Sequence, residues 1–176
     1  MIRRSTVTLA MLTSLCLAAL PIGDSAAQEK QRVSFKVSAQ NTKYTQQHLI
    51  DVGDVPGHQV RVYEIYRSFP DNPPLINGVA IKEQWTRGVS DYTDNNGPGF
   101  TYTIYVLANG DKFFTRGALL AQSAGSGKLT ANTVAYITNG TGKVAGIQGI
   151  VRTVASADPK AGVNEVQTEI EYTIGK

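Results

Sequence analysis

The stretch FTYTIYVLANGDKFFTRGALL, residues 100–120, consists of two alternating segments joined by a turn that contains Asn109 and Gly110. An Asn-Gly pair between segments rich in aromatic and β-branched residues is the strongest short-range signal for a β-hairpin, because both residues tolerate the positive φ angles of a tight turn. The stretch therefore predicts two antiparallel strands, at about 99–107 and 112–122.

The segments at the two ends of the folded region alternate in the same way. In RVSFKVSA (32–39), every second residue is apolar and the residues between them are polar. In VNEVQTEIEYTI (163–174), one face carries Val166, Ile170, Tyr172 and Ile174. A period of two residues predicts strands with one buried and one solvated face. Four further runs of this kind lie at about 59–68, 78–87, 129–138 and 146–156.

About eight strands separated by turn-forming residues predict an all-β fold, either a barrel or a sandwich. Closure into a barrel removes exposed strand edges. We therefore expect a small closed antiparallel β-barrel of the calycin-like kind. Residues 40–58 and 88–98 do not alternate clearly and are interpreted as long loops.

The amino-terminal segment predicts export. Arg3 and Arg4 precede an apolar run, and small residues follow up to Ala27, the pattern of a cleavable signal peptide over residues 1–27. The run is too short to predict a membrane span. Residues 28–176 then form one domain, which we expect in the periplasm or outside the cell. Cys16 lies in the signal peptide, so we expect no disulfide bond.

The composition argues against two classes of function. Removal of Arg3, Arg4 and Asp24 with the signal peptide leaves 15 basic and 13 acidic residues, a net charge of +2, and no cluster of Lys and Arg. A nucleic-acid-binding surface needs a basic stripe, so we expect no nucleic-acid partner. His48 and His58 are the only histidines and no cysteine remains, so we expect no metal site.

A glutamate interrupts the strand predicted at 59–68. The two faces of this strand carry Arg61, Tyr63, Ile65 and Arg67, and Val60, Val62, Glu64 and Tyr66. Because an arginine stands at each end of the first face, we interpret that face as solvated and expect Glu64 to point inward. A buried carboxylate has a perturbed pKa, a property enriched at functional sites. The alternatives are that Glu64 pairs with a basic residue of a neighbouring strand, or that the two faces are reversed.

Three stretches resemble the allene oxide cyclases and, more broadly, the dirigent-like β-barrels. They are VYEIYRSFPDNPP (62–74), GDKFFTRGALL (110–120) and AYITNGTGKVAGIQGIV (135–151), in the order found in those proteins. The resemblance implies a small antiparallel barrel with a largely apolar cavity, and cyclisation of a reactive epoxide without a cofactor. It also implies a glutamate inside the barrel that stabilises positive charge.

Carried over residue by residue, the resemblance gives a catalytic set and a ligand-binding set. Glu64 and Pro73 match the family's glutamate and proline, while Tyr66 and Asn72 replace an asparagine and a serine that hold a water. The residues expected to contact a ligand are Val62, Lys82, Tyr105 and Phe113. Lys82 is also a candidate cation for Glu64, in which case the pair is structural.

Three functions are therefore open. The first is a cofactor-free cyclase or isomerase that acts on a small, reactive apolar molecule. The second is a non-catalytic binding or carrier barrel for a small lipid-like or aromatic ligand. The third is a dirigent-like scaffold that orients a radical coupling without chemistry of its own. In FTYTIYVL both faces carry bulky residues, so we also expect an apolar outer face and association into a dimer or trimer.

Overall fold

The computed structural model describes residues 29–175, which form ten β-strands and two single-turn 3₁₀ helices. The strands are β1 (Gln31–Val37), β2 (Thr42–Asp51), β3 (His58–Ser68), β4 (Leu75–Ile76), β5 (Val79–Thr93), β6 (Gly97–Leu107), β7 (Lys112–Gly125), β8 (Lys128–Gly140), β9 (Ile147–Asp158) and β10 (Val163–Ile174). The 3₁₀ helices are Ala39–Asn41 and Gly142–Val144. The signal peptide predicted for residues 1–27 lies outside the described residues.

The strands form one antiparallel sheet in the order β1-β10-β9-β8-β7-β6-β5-β3-β2, with β4 paired to β5. The hairpin predicted around Asn109 and Gly110 is confirmed, with Val106 of β6 opposite Lys112 of β7. Gly110 has a φ of 88°, which supplies the left-handed residue that the turn requires. The prediction of an all-β, antiparallel, barrel-like fold is confirmed.

The backbone ladder does not close, because the strand order starts at β1 and stops at β2. Side chains bridge this seam inside the barrel. Arg67 of β3 donates from Nη2 to Asn164 Oδ1 of β10 at 2.7 Å, and Asn164 Nδ2 donates to the Tyr44 hydroxyl of β2 at 3.2 Å. The barrel is therefore completed by polar side chains at the point where backbone hydrogen bonds are missing.

One end of the barrel is filled with apolar side chains, and we call it the sealed end. Ile76 of β4 is fully buried there, so the segment between β3 and β5 acts as a plug. Tyr105 and Phe113 stack with ring centroids 4.4 Å apart. The fully buried residues of this core also include Ile81, Val144 and Ile170. Dense apolar packing of this kind supplies most of the stability of a domain without disulfide bonds.

The opposite end, which we call the open end, is formed by the β2–β3, β5–β6, β7–β8 and β9–β10 connections. Its apolar cluster is smaller and contains Tyr92, Leu119, Ala121, Leu129, Ala131 and Ala157. Alanine leaves more space than the isoleucine and phenylalanine of the sealed end. The cavities between the described strands therefore open toward this end.

Two segments interpreted as loops are strands. Residues 42–51 form β2, an edge strand whose side chains are mostly exposed on both faces, so its sequence does not alternate. Residues 88–93 continue β5, because its inward positions there are Gly88, Ser90 and Tyr92 and are not aliphatic. Consequently His48 lies in β2 and His58 begins β3, and neither is a loop residue.

The outer face of β6 is apolar, as the sequence predicts. Phe100 and Tyr102 are 57% and 50% exposed, whereas Thr101 and Thr103 of the same strand point into the barrel. The dimer or trimer expected from this face stays a prediction. No helix in the described part of the chain is long and apolar enough to cross a membrane.

Candidate functional site

Two connected cavities enter the barrel from the open end. The inner cavity has a volume of about 80 Å³ and lies between the strands. The outer cavity, which we call the vestibule, has a volume of about 270 Å³. Arg61, Tyr92 and Pro159 line both cavities, so they mark the junction between the two. These cavities form the candidate site because the opposite end of the barrel is closed by the apolar plug.

The strand β3 turns its arginine face inward. Arg61, Tyr63, Ile65 and Arg67 are each less than a tenth exposed and line the inner cavity. The orientation predicted for Glu64 is therefore wrong. The prediction treats arginine as a mark of solvent exposure, but the two arginines of β3 are buried.

Glu64 instead forms an ion pair on the outer surface. It lies directly opposite Arg87 of β5, whose Nη2 is 2.7 Å from Glu64 Oε2. Thr45 Oγ1 of β2 donates to Glu64 Oε1 at 2.7 Å. Both alternatives considered for Glu64 are therefore correct: the faces are reversed, and the carboxylate pairs with a basic residue of a neighbouring strand.

The other residues carried over from the resemblance do not meet around the cavity. Val62 and Tyr66 share the outer face with Glu64, and Tyr66 packs on Trp85 with ring centroids 4.7 Å apart. Lys82 is exposed, with Nζ 3.6 Å from Glu83 Oε1. Asn72, whose φ is 45°, and Pro73 lie in the loop at the sealed end.

The two aromatic residues of the predicted ligand-binding set do point inward. Tyr105 is 2% exposed and lines the inner cavity. Phe113 is fully buried beneath it and belongs to the core of the sealed end. Of all the residues predicted for the site, only Tyr105 lies on the wall of the cavity.

Arg67 is the most deeply buried charged residue of the cavity, with 4% of its surface exposed. Nη2 donates to Asn164 at 2.7 Å and Nη1 to the Thr86 hydroxyl at 3.4 Å, while Nε has no partner among the described residues. Burial lowers the pKa of the Arg67 guanidinium, because desolvation disfavours a cation. Arginine nevertheless stays protonated in proteins, so this position carries a positive charge.

Arg61 holds the junction between the two cavities. Its guanidinium lies 4.8 Å from the centre of the Tyr63 ring and 5.9 Å from that of Tyr44. Nη1 donates to Gln47 Oε1 at 3.1 Å, and Nε has no partner in the described part of the chain. Stacking on aromatic rings positions a guanidinium without neutralising it.

A glycine fixes the position of Tyr63. Gly88 of β5 is paired with Tyr63, and a Cβ atom at this position would collide with the phenol ring. The ring therefore lies across the backbone of β5, where it supports Arg61. The need for glycine here is steric and does not depend on its φ angle.

Within residues 29–175, no buried carboxylate balances the two arginines inside the barrel. The buried polar side chains of residues 29–175 are Thr42, Arg61, Arg67, Gln84, Thr86, Ser90, Thr101, Thr103, Thr115, Asn164 and Thr168. Burial raises the pKa of Tyr92 to about 12, and the pKa values of Tyr63 and Tyr105 also lie well above the ordinary value. The tyrosines are therefore neutral at physiological pH and supply no counter-charge.

Four buried polar side-chain atoms have no hydrogen-bond partner within the described residues: Arg61 Nε, Arg67 Nε, Gln84 Oε1 and Ser90 Oγ. All four belong to residues that line the inner cavity or the vestibule. Buried polar groups in proteins are otherwise almost always paired. The buried donors and acceptors without partners among the described residues therefore all belong to the candidate site.

Sequence reasoning did not find these residues. The threonines at alternate positions of β6, Thr101 and Thr103, predict an inner face that is polar yet suited to a strand. Thr115, Thr133 and Thr153 continue this hydroxyl lining on β7, β8 and β9. Read together with the two arginines on β3, this pattern could have indicated a polar cavity.

His58, Asp54 and Asp91 form a charged cluster next to the vestibule, which we call the clamp. Nδ1 of His58 is 2.6 Å from Asp54 Oδ1, and its Nε2 is 2.6 Å from Asp91 Oδ1. The hydrogen bond to Asp91, followed by that to Asp54, raises the pKa of His58. The clamp ties the β2–β3 loop to β5 beside Gly57 and Asp94, which line the vestibule. Residues 29–175 contain no group of three or more His, Cys, Asp and Glu arranged to hold a metal ion.

Comparison with known proteins yields little. No family model matches the chain, and no curated protein matches it at a significant level. Among solved structures the chain is similar to a dirigent protein, a pterocarpan synthase, at 12% identity and a TM-score of 0.48, over 95% of this chain and 100% of that one. Similarity this weak assigns neither fold nor function, and the fold described above rests on the strand order and register of this chain.

Proposed function

We propose that this protein is an exported barrel that binds and carries a small organic molecule in its interior, without chemistry of its own. One observation carries the proposal: the barrel is plugged at one end, and at the other a vestibule leads into a cavity lined by unpaired polar groups. A pocket with a few convergent polar groups is the usual form of a small-molecule site.

The chemistry of the lining favours binding over catalysis. General acid–base catalysis needs a group whose pKa lies near the working pH. The buried side chains of the described residues include no histidine, aspartate or glutamate. Asp94, the carboxylate that lines the vestibule, is exposed to solvent. Tyrosines with raised pKa values and arginines do not exchange protons at neutral pH. The cavity can therefore recognise a ligand through hydrogen bonds and shape complementarity.

The size of the site limits the ligand. Drug-sized ligands occupy pockets of roughly 300–1,000 Å³. The vestibule, at about 270 Å³, is close to the lower end of that range, and the inner cavity adds about 80 Å³. The two cavities together therefore suit a molecule of about one to three rings, or a short chain.

Binding is tested with a neutral fluorescent probe, N-phenyl-1-naphthylamine, and a matched pair of variants on β9. Ala155 lines the inner cavity, while its neighbour Val154 is 48% exposed on the outer face. We expect the probe to bind the wild-type protein and Val154→Phe. Ala155→Phe should bind it weakly, because the phenyl group fills the cavity. Equal binding by both variants, or no binding by the wild type, would contradict the proposal.

A dirigent-like scaffold would use the same cavity. It differs from a carrier in one respect, because the molecule that leaves the barrel has reacted. Chromatography with mass analysis of the ligand before and after incubation with the protein distinguishes the two, because an isomerised product keeps its mass but changes its retention time. We expect both the mass and the retention time to be unchanged.

A further inference from the structure

We infer that the ligand is an organic anion, and that its carboxylate is held by Arg67 inside the barrel and by Arg61 at the junction with the vestibule. This inference rests on the proposed binding function and deepens it by naming the chemical class of the ligand. Its basis is the charge balance of the interior and the unpaired donors of residues that line the inner cavity.

The interior contains two cations and no anion among the described residues. Moving a charge from water into a protein interior costs several kcal/mol unless a partner compensates it. Arg67 has only an amide oxygen and a hydroxyl as partners, and Arg61 has an amide oxygen and two aromatic rings. Neutral groups of this kind orient a guanidinium but leave its charge uncompensated.

Several half-buried carboxylates, by contrast, pair with cations on the outer surface of the barrel. Glu64 pairs with Arg87 across β3 and β5. Glu171 of β10 pairs with Lys30, Arg32 and Arg152, at distances between 2.6 and 3.3 Å. Three outer arginines, Arg32, Arg87 and Arg152, thus meet carboxylates, whereas neither of the two inner arginines meets one among the described residues. A ligand carboxylate would supply the missing partner.

The donors suit a carboxylate. The guanidinium presents its N–H groups in a planar fork that matches two carboxylate oxygens. Nε of Arg67 and Nε of Arg61 are the donors without partners, and both residues line the inner cavity. The hydroxyls of Thr101, Thr103 and Thr115 also line it and can donate to an anion.

The rest of the ligand would occupy the vestibule. Leu49, Tyr92 and Pro159 provide apolar contact there, and Gln59, Asp94, Asn95 and Lys160 form a polar rim. A flat ring or a short alkyl chain fits between such walls. The expected ligand is therefore amphipathic, with its charged end inward and its apolar end toward the opening.

The test compares acids with amides of the same shape. Benzoate, cinnamate and hexanoate are titrated into the full mature protein by calorimetry, beside benzamide, cinnamamide and hexanamide. We expect at least one acid to bind, and to bind roughly tenfold or more tightly than its amide, which is the range for a charge-assisted hydrogen bond. Amides that bind as well as the acids, or no binding by any of the three acids, would overturn the inference.

Variants then locate the charge. Arg67→Met should remove most of the preference for the acid while leaving amide binding in place. Arg116→Met is the matched control, because Arg116 lies on the outer face of β7 over Tyr102, at 5.4 Å. If Arg67→Met does not fold, Arg67→Lys keeps the charge but loses the fork, and an intermediate affinity is expected. An unchanged preference in a folded Arg67 variant would contradict the assignment.

The two proposals fail in different ways. If N-phenyl-1-naphthylamine enters the cavity but acids and amides do not differ, the binding function stands and the anion is wrong. If neither the neutral probe nor any acid or amide binds, the binding function itself fails.

Discussion

The sealed end and the open end of this barrel are built from the same strands but differ in the residues that point into the interior. At the sealed end, Ile76, Phe113 and Ile170 are fully buried among apolar neighbours. At the open end the inner face carries Arg61, Arg67 and a set of threonines, and all four of the buried polar atoms without partners in the described residues line its cavities. Apolar packing and unpaired polar groups therefore lie at opposite ends of one barrel, which fits a division between stability and the proposed binding function.

Such a division is expected on physical grounds. Unpaired buried polar groups and charges cost stability, so a protein that keeps them needs a compensating apolar core elsewhere. Binding sites commonly retain destabilising features of this kind because the ligand supplies the missing interactions. Substitutions at the sealed end should therefore affect mainly stability, and substitutions at the open end should affect mainly ligand binding.

The largest effect on stability is expected from a substitution that creates a cavity at the sealed end. Ile170→Ala removes a fully buried side chain and should lower the free energy of unfolding by about 3–5 kcal/mol. Ile65→Ala makes the same chemical change in the wall of the inner cavity and should cost only about 2 kcal/mol, because that side chain already borders open space. Urea unfolding measures both. Equal losses would contradict the division between the ends.

A moderate effect on stability and binding is expected from a substitution of Gly88, which packs against Tyr63. Gly88→Ala pushes the phenol ring from its place beneath Arg61, which should cost about 1–3 kcal/mol through overpacking and should weaken ligand binding. Val89→Ala is the control, since Val89 is the next residue and points outward. Thermal unfolding and probe titration report the two effects. A Gly88→Ala protein that binds like the wild type would show that Tyr63 does not position the site.

A smaller effect is expected from the His58 clamp and should depend on pH. Asp91 and Asp54 raise the pKa of His58 above 6.5, so the folded protein holds this proton more tightly than the unfolded chain. The stabilisation is then complete below pH 6.5 and is lost as the pH rises through the higher folded pKa. His58→Asn should flatten this dependence in melting curves. An NMR titration midpoint for His58 at or below 6.5 would refute the clamp.

The smallest effect is expected from Glu64→Gln. The pair with Arg87 lies on the outer surface, where ion pairs contribute about 0–1 kcal/mol. We expect nearly unchanged stability and unchanged ligand binding, as measured by denaturation and calorimetry. A large loss of binding would mean that Glu64 reaches the ligand, contrary to the orientation of β3.

The sequence predicts the sealed end better than the open end. Alternation in β1 and β10 assigned the right inward residues, because an apolar core makes hydrophobic periodicity informative. The Asn109-Gly110 turn placed β6 and β7 in register. These signals arise from the physics of burial and turn geometry, which holds for any barrel of this class.

The same rule fails at the open end. There the inward positions hold arginine, threonine, serine and glycine, so a period of apolar residues no longer marks the inside. This reversal explains the wrong orientation of Glu64 and the loop interpretation of the end of β5. The failure coincides with the candidate site, where a sequence is expected to depart from the requirements of packing.

We propose that the open end binds a small organic acid. This proposal is tested most directly by native mass spectrometry of the mature protein purified from its own host, with solvent extraction of whatever is bound. We predict a co-purifying acid of about one to three rings or a short chain, present in the wild type and in Arg116→Met and absent from Arg67→Met and Ala155→Phe. A neutral molecule, or a mass equal to that of the bare chain in every variant, would show that the open end does not bind an acid.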